Sequence, residues 1–227
     1  MDAYTLRNKL SGLTVLELET VIAYPPTDKS DWIKARYDAI KQRIKRDLLE
    51  GQFDKCAYCR KMLEGAGKYE PLEHIVAKSI RPEWMFEPKN LIVTCDSCNN
   101  LKGDEQVLAD CYIGSFVLPN VSEAYLIFNP HYDEWSDHLQ YEDDLFITDV
   151  PGSKGRHTIK ICKLYRFNII INRSKERKLH QKTPLQRIAS RIQKMDKHSP
   201  EFVYILEQLS DAITFFANRT IDNENYD

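Results

Sequence analysis

Two pairs of cysteines have a spacing that points directly to metal chemistry. Each pair has two residues between its cysteines, and the four are Cys56, Cys59, Cys95 and Cys98. This spacing lets two thiolates turn toward one point, and two such pairs complete the tetrahedral sulfur site that Zn²⁺ prefers. Reduced thiols or a redox pair are the alternatives, but the duplication favours a structural zinc site. Cys111 and Cys162 have no partner at ligand spacing, and we expect them to be buried thiols.

Polar side chains suited to phosphoryl chemistry lie between the pairs and just after the second pair. They are Glu73, His74, Asn90, Asn99 and Lys102. Histidine has an ordinary pKa of about 6.5, so its neutral form can accept a proton from water near pH 7. Carboxylate and amide oxygens are the ligands that Mg²⁺ and Mn²⁺ prefer, whereas thiolates select zinc. Phosphodiester hydrolysis needs both an activated water and a hard cation, and this set of residues offers both.

The order of these motifs resembles the HNH endonuclease family. The resemblance covers residues 53–104, with Cys-x-x-Cys, Glu-His, Asn, Cys-x-x-Cys-Asn and Lys-Gly in that order. It implies an α+β fold with a ββα-metal core stapled by a zinc site of four cysteines, to which this chain adds an N-terminal helix and a C-terminal helical bundle. It also implies hydrolysis of phosphodiester bonds in nucleic acid with one divalent metal, and we favour DNA over RNA as the substrate.

The same resemblance implies a role for each polar residue. His74 is expected to be the general base, Asn90 to hold the loop that orients it, and Lys102 to lie near the phosphate. Glu73 and Asn99 are expected to bind the catalytic Mg²⁺ or Mn²⁺, with Asn100 as the competitor of Asn99. The family motif usually begins with Asp-His and often ends in His, so these two ligands depart from its commonest form.

The elements that must position these residues fall into four predicted segments. They are an N-terminal strand and basic amphipathic helix (1–52), the nuclease core with its zinc knuckles (53–104), an acidic strand and aromatic extension (105–152), and a helical region that is basic up to about residue 194 (153–227). Alternating apolar residues from Leu16 to Tyr24 predict the strand. Ser30 is expected to cap the following helix, which should end at Gly51. Ala124–Phe128 and Leu145–Thr148 are further strand candidates.

The charge of the chain is segregated along its sequence. The net charge is −2, from 32 basic and 34 acidic residues, which at face value argues against a nucleic-acid-binding protein. However, no Lys or Arg occurs from Asp104 to Val150, whereas Lys154 to Lys194 is strongly basic. One interpretation is that basic residues contact phosphates: Lys102, Lys154, Arg156, Lys160, Lys163, Arg173 and Arg177. The other is that the basic stretch faces the acidic one, in this chain or on another subunit.

Length and composition limit the class of protein. The chain has 227 residues, of which 42% are hydrophobic and 29% charged, and this excludes a peptide hormone, a coiled-coil rod and a long disordered tail. Its apolar runs fall far short of the ~20 residues that a membrane helix needs. The first residues do not resemble a signal peptide, so we expect a cytoplasmic protein with no membrane partner.

The region after the core carries a looser resemblance. Asn129-Pro130, Trp135 and His138, followed by basic helices, resemble the accessory region of HNH nucleases in bacterial anti-phage systems of the Septu type, including its retron-associated version. These systems pair the nuclease with an ATPase subunit, which implies an effector nuclease in a defence complex. We assign packing, and no catalytic role, to these aromatic residues and to His131. The alternative function is a non-catalytic zinc ribbon that binds nucleic acid or serves as a scaffold subunit.

Overall fold

The computed structural model describes residues 12–63, 70–142, 146–166, 168–170, 173, 184–207 and 210. The α-helices are α1 (Val15–Ala23), α2 (Asp38–Gly51), α3 (Asp96–Lys102), α4 (Trp135–His138), α5 (Gly155–Cys162) and α6 (Pro184–Lys194). The strands are β1 (Leu72–His74), β2 (Leu91–Val93), β3 (Leu139–Glu142) and β4 (Phe146–Asp149). The fold is thus a mixture of helices with two small sheets, β1–β2 and β3–β4.

The chain divides into two compact units. The first contains the residues up to 140 together with 147–164, and the second contains 141–146 and the residues from 165 onward. The predicted segments, with boundaries at residues 52, 104 and 152, stay a prediction. Among the described residues, no helix has both the length and the apolar character needed to cross a bilayer.

The predicted N-terminal strand is wrong, because residues 15–23 form helix α1. Thr14 and Glu17 form a reciprocal capping box, in which each side chain accepts a hydrogen bond from the other's backbone N–H. Glu17 also accepts two hydrogen bonds from the Arg43 guanidinium of α2, at 2.6 and 2.8 Å. None of the residues of α1 is buried. The alternating apolar residues therefore do not pack on a buried sheet face. The capping box favours a helix here instead.

The predicted basic helix begins later than expected. Residues 29–37 form two short 3₁₀ helices, Lys29–Ile33 and Ala35–Tyr37, and α2 starts at Asp38. Asp28, rather than Ser30, caps the first of these, because its carboxylate accepts a hydrogen bond from the Ser30 N–H at 2.9 Å. The buried apolar residues of α2 pack against β2: Ile40, Ile44, Leu48 and Leu49.

The first sheet and α3 follow one another within the predicted core. β1 pairs antiparallel with β2, so that Glu73 lies opposite Ile92 and His74 lies opposite Leu91. Both strands are short and almost entirely buried. α3 begins at Asp96, directly after Cys95, and ends at Lys102. Gly103 follows it with a φ of +53°, a backbone conformation that glycine adopts without strain.

The extension after the core contains fewer strands than predicted. Residues 124–128 form no strand; Tyr125 makes only an isolated bridge to Leu108, and Ser122–Ala124 is a 3₁₀ helix. The second predicted strand overlaps β4. Gly155 is the first residue of α5, and its backbone lies very close to the His138 carbonyl group. A Cβ at this position would be only 1.9 Å from the His138 carbonyl oxygen. α5 packs against α3.

From residue 168 onward, the described residues of the second unit are largely helical. α6 starts at Pro184, and residues 200–207 form a further helix that starts with Pro200. The Ser199 hydroxyl accepts a hydrogen bond from the Phe202 N–H at 3.1 Å and so caps this helix. Ile170, Ile188 and Ile205 form an apolar cluster of this unit.

Candidate functional site

The first cysteine pair lies in a tight loop held against β2. The Arg60 N–H donates to the Cys56 carbonyl at 3.0 Å, and Arg60 has a positive φ of 58°, which closes the turn. Gln52 lies at the end of α2 and is fully buried. Its amide donates to the Val93 carbonyl at 2.7 Å and accepts from the Val93 N–H at 2.8 Å. Gln52 therefore fixes the first cysteine loop to the strand that leads into the second pair.

The four predicted thiols converge on one point. The Sγ atoms of Cys56, Cys59, Cys95 and Cys98 all lie within 4.8 Å of one another. Cys59 and Cys95 are 3.8 Å apart at sulfur, which matches the edge of about 3.8 Å in a tetrahedron with Zn–S bonds of about 2.3 Å. Burial raises the pKa of the Cys56 thiol, so four thiolates at this place need a cation to neutralise them. The cluster fits a structural Zn²⁺.

The two cysteines outside this cluster differ in burial. Cys162 is fully buried at the end of α5, as expected. Cys111 lies in the 3₁₀ helix Asp110–Tyr112 and is exposed, so the prediction of a buried thiol is wrong for this residue. The 3₁₀ helix that contains Cys111 has no buried residue. A lone cysteine in a sequence does not indicate whether its side chain faces the core or the solvent.

His74 lies at the end of β1 and is almost completely buried. Its Nε2 atom is 3.1 Å from the Met85 carbonyl oxygen. Since a carbonyl can only accept, Nε2 carries the proton of the neutral ring and Nδ1 keeps its lone pair. Burial, with a smaller contribution from the Lys78 charge, lowers the pKa of His74 to about 3. The imidazole is therefore neutral at physiological pH and has one nitrogen able to accept a proton.

Asn90 organises the loop that supplies the partner of His74. Its side-chain oxygen accepts from the Val76 N–H at 2.8 Å, and its amide donates to the Val76 and Trp84 carbonyls at 3.0 and 3.2 Å. These bonds close the loop between β1 and β2, which contains Met85. Asn90 is fully buried and out of reach of water, so its polar atoms have to be bonded within the protein. In this arrangement Asn90 acts on His74 only indirectly, through the loop that contains Met85.

Lys102 is placed differently from the expected phosphate contact. Its side chain is completely buried, and its Nζ lies 2.7 Å from Glu73 Oε1 and 2.9 Å from the His74 carbonyl oxygen. Burial raises the pKa of Glu73, and the Lys102 charge opposes this effect. Glu73 and Lys102 thus form a buried ion pair between β1 and α3.

The two asparagines after the second cysteine pair differ in their surroundings. Asn100 is exposed, and its amide donates to the Asp96 carboxylate at 3.0 Å one turn earlier. Asn99 is half-buried. Along α3, Asn99 shares a face with Cys95, four residues before it, and with Lys102, three residues after it. Asn99 is therefore on the side of α3 that carries Lys102, the partner of Glu73.

Glu73 and Asn99 are oxygen donors of the kind that bind Mg²⁺ or Mn²⁺. The Glu73 carboxylate is buried and lies 2.7 Å from the Lys102 ammonium. Binding of a hard divalent cation by Glu73 and Asn99 stays a prediction that rests on the chemistry of these two donors.

An aromatic residue outside the predicted core covers His74. Trp32 belongs to the first 3₁₀ helix, and its ring lies edge-on to the His74 ring with 4.5 Å between centroids. It also stacks on Phe86 at 5.5 Å. Sequence reasoning missed this contact, because a single Trp far from the motif has no periodicity or spacing that links it to His74.

The aromatic extension is bonded to the same core. His131 Nε2 is 2.9 Å from the Leu91 carbonyl oxygen of β2, and Trp135 Nε1 donates to the Tyr58 carbonyl at 3.0 Å. Tyr58 lies inside the first cysteine pair. Both residues thus brace the strand and the cysteine loop, which agrees with the packing role expected for them.

Lys154, predicted to contact phosphate, makes an internal ion pair. Its ammonium donates to the Asp133 carboxylate at 2.8 Å and to the Ser122 hydroxyl at 2.7 Å. Although burial opposes it, hydrogen bonds from His138, Lys154 and Ser122 hold the pKa of Asp133 well below its usual value. This part of the basic stretch therefore faces the acidic stretch of the same chain.

The other predicted phosphate contacts differ in their exposure. Lys160 is exposed on α5, and Lys163 is half-buried just after it. Arg156 is exposed and lies 3.8 Å from Asp149. Arg173 lies over the Tyr141 ring, whereas Arg177 is outside the described residues. Lys160 and Arg156 are thus the members of this set whose side chains reach solvent in the described structure.

Comparison with known proteins finds a distant relationship. The chain is 28% identical over 133 residues to the Septu protein PtuB of Bacillus thuringiensis, which covers 58% of this chain and 44% of that protein. It is also 28% identical over 159 residues to the Septu protein PtuB of Bacillus mycoides strain KBAB4, which covers 63% of this chain and 54% of that protein. The matches thus cover about half the length of these relatives. No family model matches the chain.

Proposed function

We propose that this chain is a metal-dependent HNH endonuclease that hydrolyses phosphodiester bonds, with His74 as the general base. The observation that carries the proposal is the neutral His74 ring, whose Nε2–H is engaged by the Met85 carbonyl while Nδ1 keeps its lone pair. It lies at the end of the first strand of a strand–strand–helix unit, next to a cluster of four cysteines. This order of elements supports the predicted ββα-metal core.

In the proposed reaction, His74 Nδ1 accepts the proton of the water that attacks the phosphorus atom, while the bond from phosphorus to the leaving ester oxygen breaks and that oxygen takes up a proton from solvent. The Met85 carbonyl stabilises the resulting imidazolium through its bond to Nε2–H. Asn90 keeps this carbonyl in place by closing the loop around it. Glu73 and Asn99 would hold a divalent cation, which would neutralise charge on the phosphate. Lys102 holds Glu73 from the protein side, so its proposed role is to position a ligand rather than to touch phosphate.

The proposed setting is an effector nuclease of a Septu-type anti-phage complex. Two relatives are named as Septu proteins, and the residues after the core resemble the accessory region of such nucleases. We further propose DNA as the favoured substrate and an ATPase as the partner subunit. The retron-associated version stays a prediction. The low net charge favours a partner that delivers the substrate, because the chain as a whole attracts phosphate only weakly. Lys154 is in addition occupied by its internal ion pair with Asp133.

A non-catalytic scaffold or binding subunit is the second candidate, and a specific observation favours it. His74 is only 2% exposed and Lys102 is completely buried, so the described site is closed to a substrate. A zinc-stapled module with no nuclease activity would have no need of an accessible histidine. The two candidates differ in one property, which is metal-dependent cleavage.

The test is a cleavage assay on supercoiled plasmid DNA and on transfer RNA, side by side. Zinc-loaded protein, alone and with any subunit that co-purifies with it, is incubated with Mg²⁺ or Mn²⁺. The nuclease proposal expects cleavage by the wild type and by His157→Ala, an exposed histidine, but not by His74→Ala or Glu73→Ala. Nucleic-acid binding that persists without cleavage in the wild type would support the second candidate. Cleavage by His74→Ala at the wild-type rate would refute His74 as the base.

A further inference from the structure

We propose that Trp32 is a positioning residue that holds the His74 imidazole in the orientation needed to accept a proton. The inference rests on the proposed function and adds to it a residue from outside the cysteine-bounded core. The observation behind it is the edge-on contact of the two rings, 4.5 Å apart at their centroids with an angle of 75° between their planes.

His74 needs such a contact because one hydrogen bond does not fix a ring. The bond from Nε2–H to the Met85 carbonyl fixes one edge of the imidazole. Rotation about the second side-chain torsion of histidine is broad, so the plane of the ring and the direction of Nδ1 remain adjustable. An indole packed against the ring removes this freedom. Small errors in the direction of a catalytic base are costly, since a misplacement of about 1 Å can lower a rate by on the order of a hundredfold.

Trp32 is itself held from two sides. Its ring stacks on Phe86 with 22° between the planes, and Phe86 packs in turn against Tyr37 at 4.2 Å. The Lys41 ammonium donates to the Trp32 carbonyl at 2.8 Å and lies 5.4 Å from the centre of the indole ring. Ring and backbone are therefore both anchored to the beginning of α2.

The segment before Trp32 is also closed by hydrogen bonds. Asp31 is buried, and its carboxylate accepts from the backbone N–H groups of Thr27 and Asp28 at 2.8 and 3.1 Å. The hydrogen bond and charge of Lys34, together with these bonds, hold the pKa of Asp31 well below its usual value, so the carboxylate stays ionised. The turn that presents Trp32 is thus a defined structure and not a loosely attached loop.

The partial burial of Trp32 distinguishes its proposed positioning role from the packing role of an ordinary core residue. Its stacking partner Phe86 is 2% exposed and Tyr37, which packs on Phe86, is 1% exposed, whereas Trp32 is only partly buried. It therefore contributes less to the apolar core than they do, yet it is the ring that contacts His74. A leucine in its place would cost some apolar contact and would remove the aromatic ring that lies edge-on to the imidazole.

The experiment compares Trp32→Leu, Trp32→Phe and the control Tyr24→Leu in the zinc-loaded full chain. Tyr24 is an exposed aromatic residue nearby, and its ring contacts Arg36. We expect Trp32→Leu to lower kcat by on the order of tenfold to a hundredfold with KM changed by less than about twofold. Trp32→Phe should retain most of the activity, because phenylalanine keeps an aromatic face, and Tyr24→Leu should match the wild type.

A second readout does not depend on cleavage. Two-bond ¹H–¹⁵N spectra of protein labelled at histidine report which ring nitrogen carries the proton. We expect His74 to show a single Nε2–H form in the wild type and in Trp32→Phe, and a mixture of tautomers or a broadened signal in Trp32→Leu.

Two results would overturn the inference. One is an unchanged His74 spectrum in folded Trp32→Leu, and the other is a loss confined to KM, which would make Trp32 a stacking surface for a nucleobase. If the wild type fails to cleave, the proposed nuclease fails, and the spectra still decide whether Trp32 fixes the imidazole. If Trp32→Leu does not fold, Trp32→Phe and the wild type still carry the test, because an Nδ1–H or mixed tautomer in either contradicts it.

Discussion

Replacing Lys102 with methionine removes the buried counter-ion of Glu73 while keeping most of the side-chain volume. Lys102 is fully buried, and its Nζ contacts the Glu73 carboxylate at 2.7 Å and the His74 carbonyl at 2.9 Å. Removing one partner of a buried ion pair typically costs about 3–5 kcal/mol, because the other charge is left without compensation. The same change also leaves the His74 carbonyl without this donor. We therefore expect the free energy of unfolding to fall by about 3–5 kcal/mol near neutral pH.

Urea unfolding of the zinc-loaded protein measures this loss, with Lys160→Met, an exposed lysine, as the matched control. The double variant Glu73→Gln/Lys102→Met should lose less than Lys102→Met alone, since no buried charge remains. The deficit of Lys102→Met should also shrink as the pH is lowered from neutral, because burial raises the pKa of Glu73 and the unpaired carboxyl takes up a proton.

Two results would contradict this reasoning. A loss below about 1 kcal/mol in Lys102→Met would mean that the ion pair is not buried in solution. A double variant at least as unstable as the sum of the two single variants would mean that the side chains do not interact.

Three further predictions follow from other contacts. Cys98→Ser should abolish stoichiometric zinc binding and lower Tm, whereas Cys111→Ser, an exposed thiol, should retain the metal in an elemental analysis. Burial lowers the pKa of His131 to about 4, so the folded state binds fewer protons than the unfolded state between about pH 6.5 and 4. Stability should fall as the pH drops through this window, by on the order of 3 kcal/mol from this residue, and urea titrations should show a weaker pH dependence in His131→Gln than in His157→Gln. Asn90→Ala should lower Tm and the cleavage rate together, because it leaves three buried bonds of the β1–β2 loop unmade.

The cysteine cluster could be predicted from the sequence because its information is local. Two residues between cysteines restrict the geometry of each loop, and the repetition of the pattern identifies a shared site. The order of β1, β2 and α3 also followed from motifs spaced along one stretch of chain. Contacts between distant segments could not be predicted in this way. Neither Trp32 nor Gln52 belongs to a motif, and their partners are apparent only once α2 packs against β2.

The errors at the N-terminus and in the basic stretch have separate physical causes. Apolar alternation near Leu16 gave a strand signal, but the capping box of Thr14 and Glu17 favoured a helix in a segment that buries no side chain. The charge pattern gave the position of the basic residues but not their partners. The fold brings Lys154 next to Asp133, so a lysine that was expected to contact phosphate forms an ion pair within the chain instead.

The most direct test of the central claim is the single-turnover rate of plasmid cleavage by His74→Ala relative to wild type, at saturating Mg²⁺ or Mn²⁺. Zinc content and Tm of both proteins are measured in parallel, so that a folding defect is recognised. The account predicts metal-dependent cleavage by the wild type and a loss on the order of a hundredfold to ten-thousandfold in the folded variant, which is the usual contribution of a general base. Equal rates in two folded, zinc-loaded proteins, or no cleavage by the wild type with any metal, would contradict it.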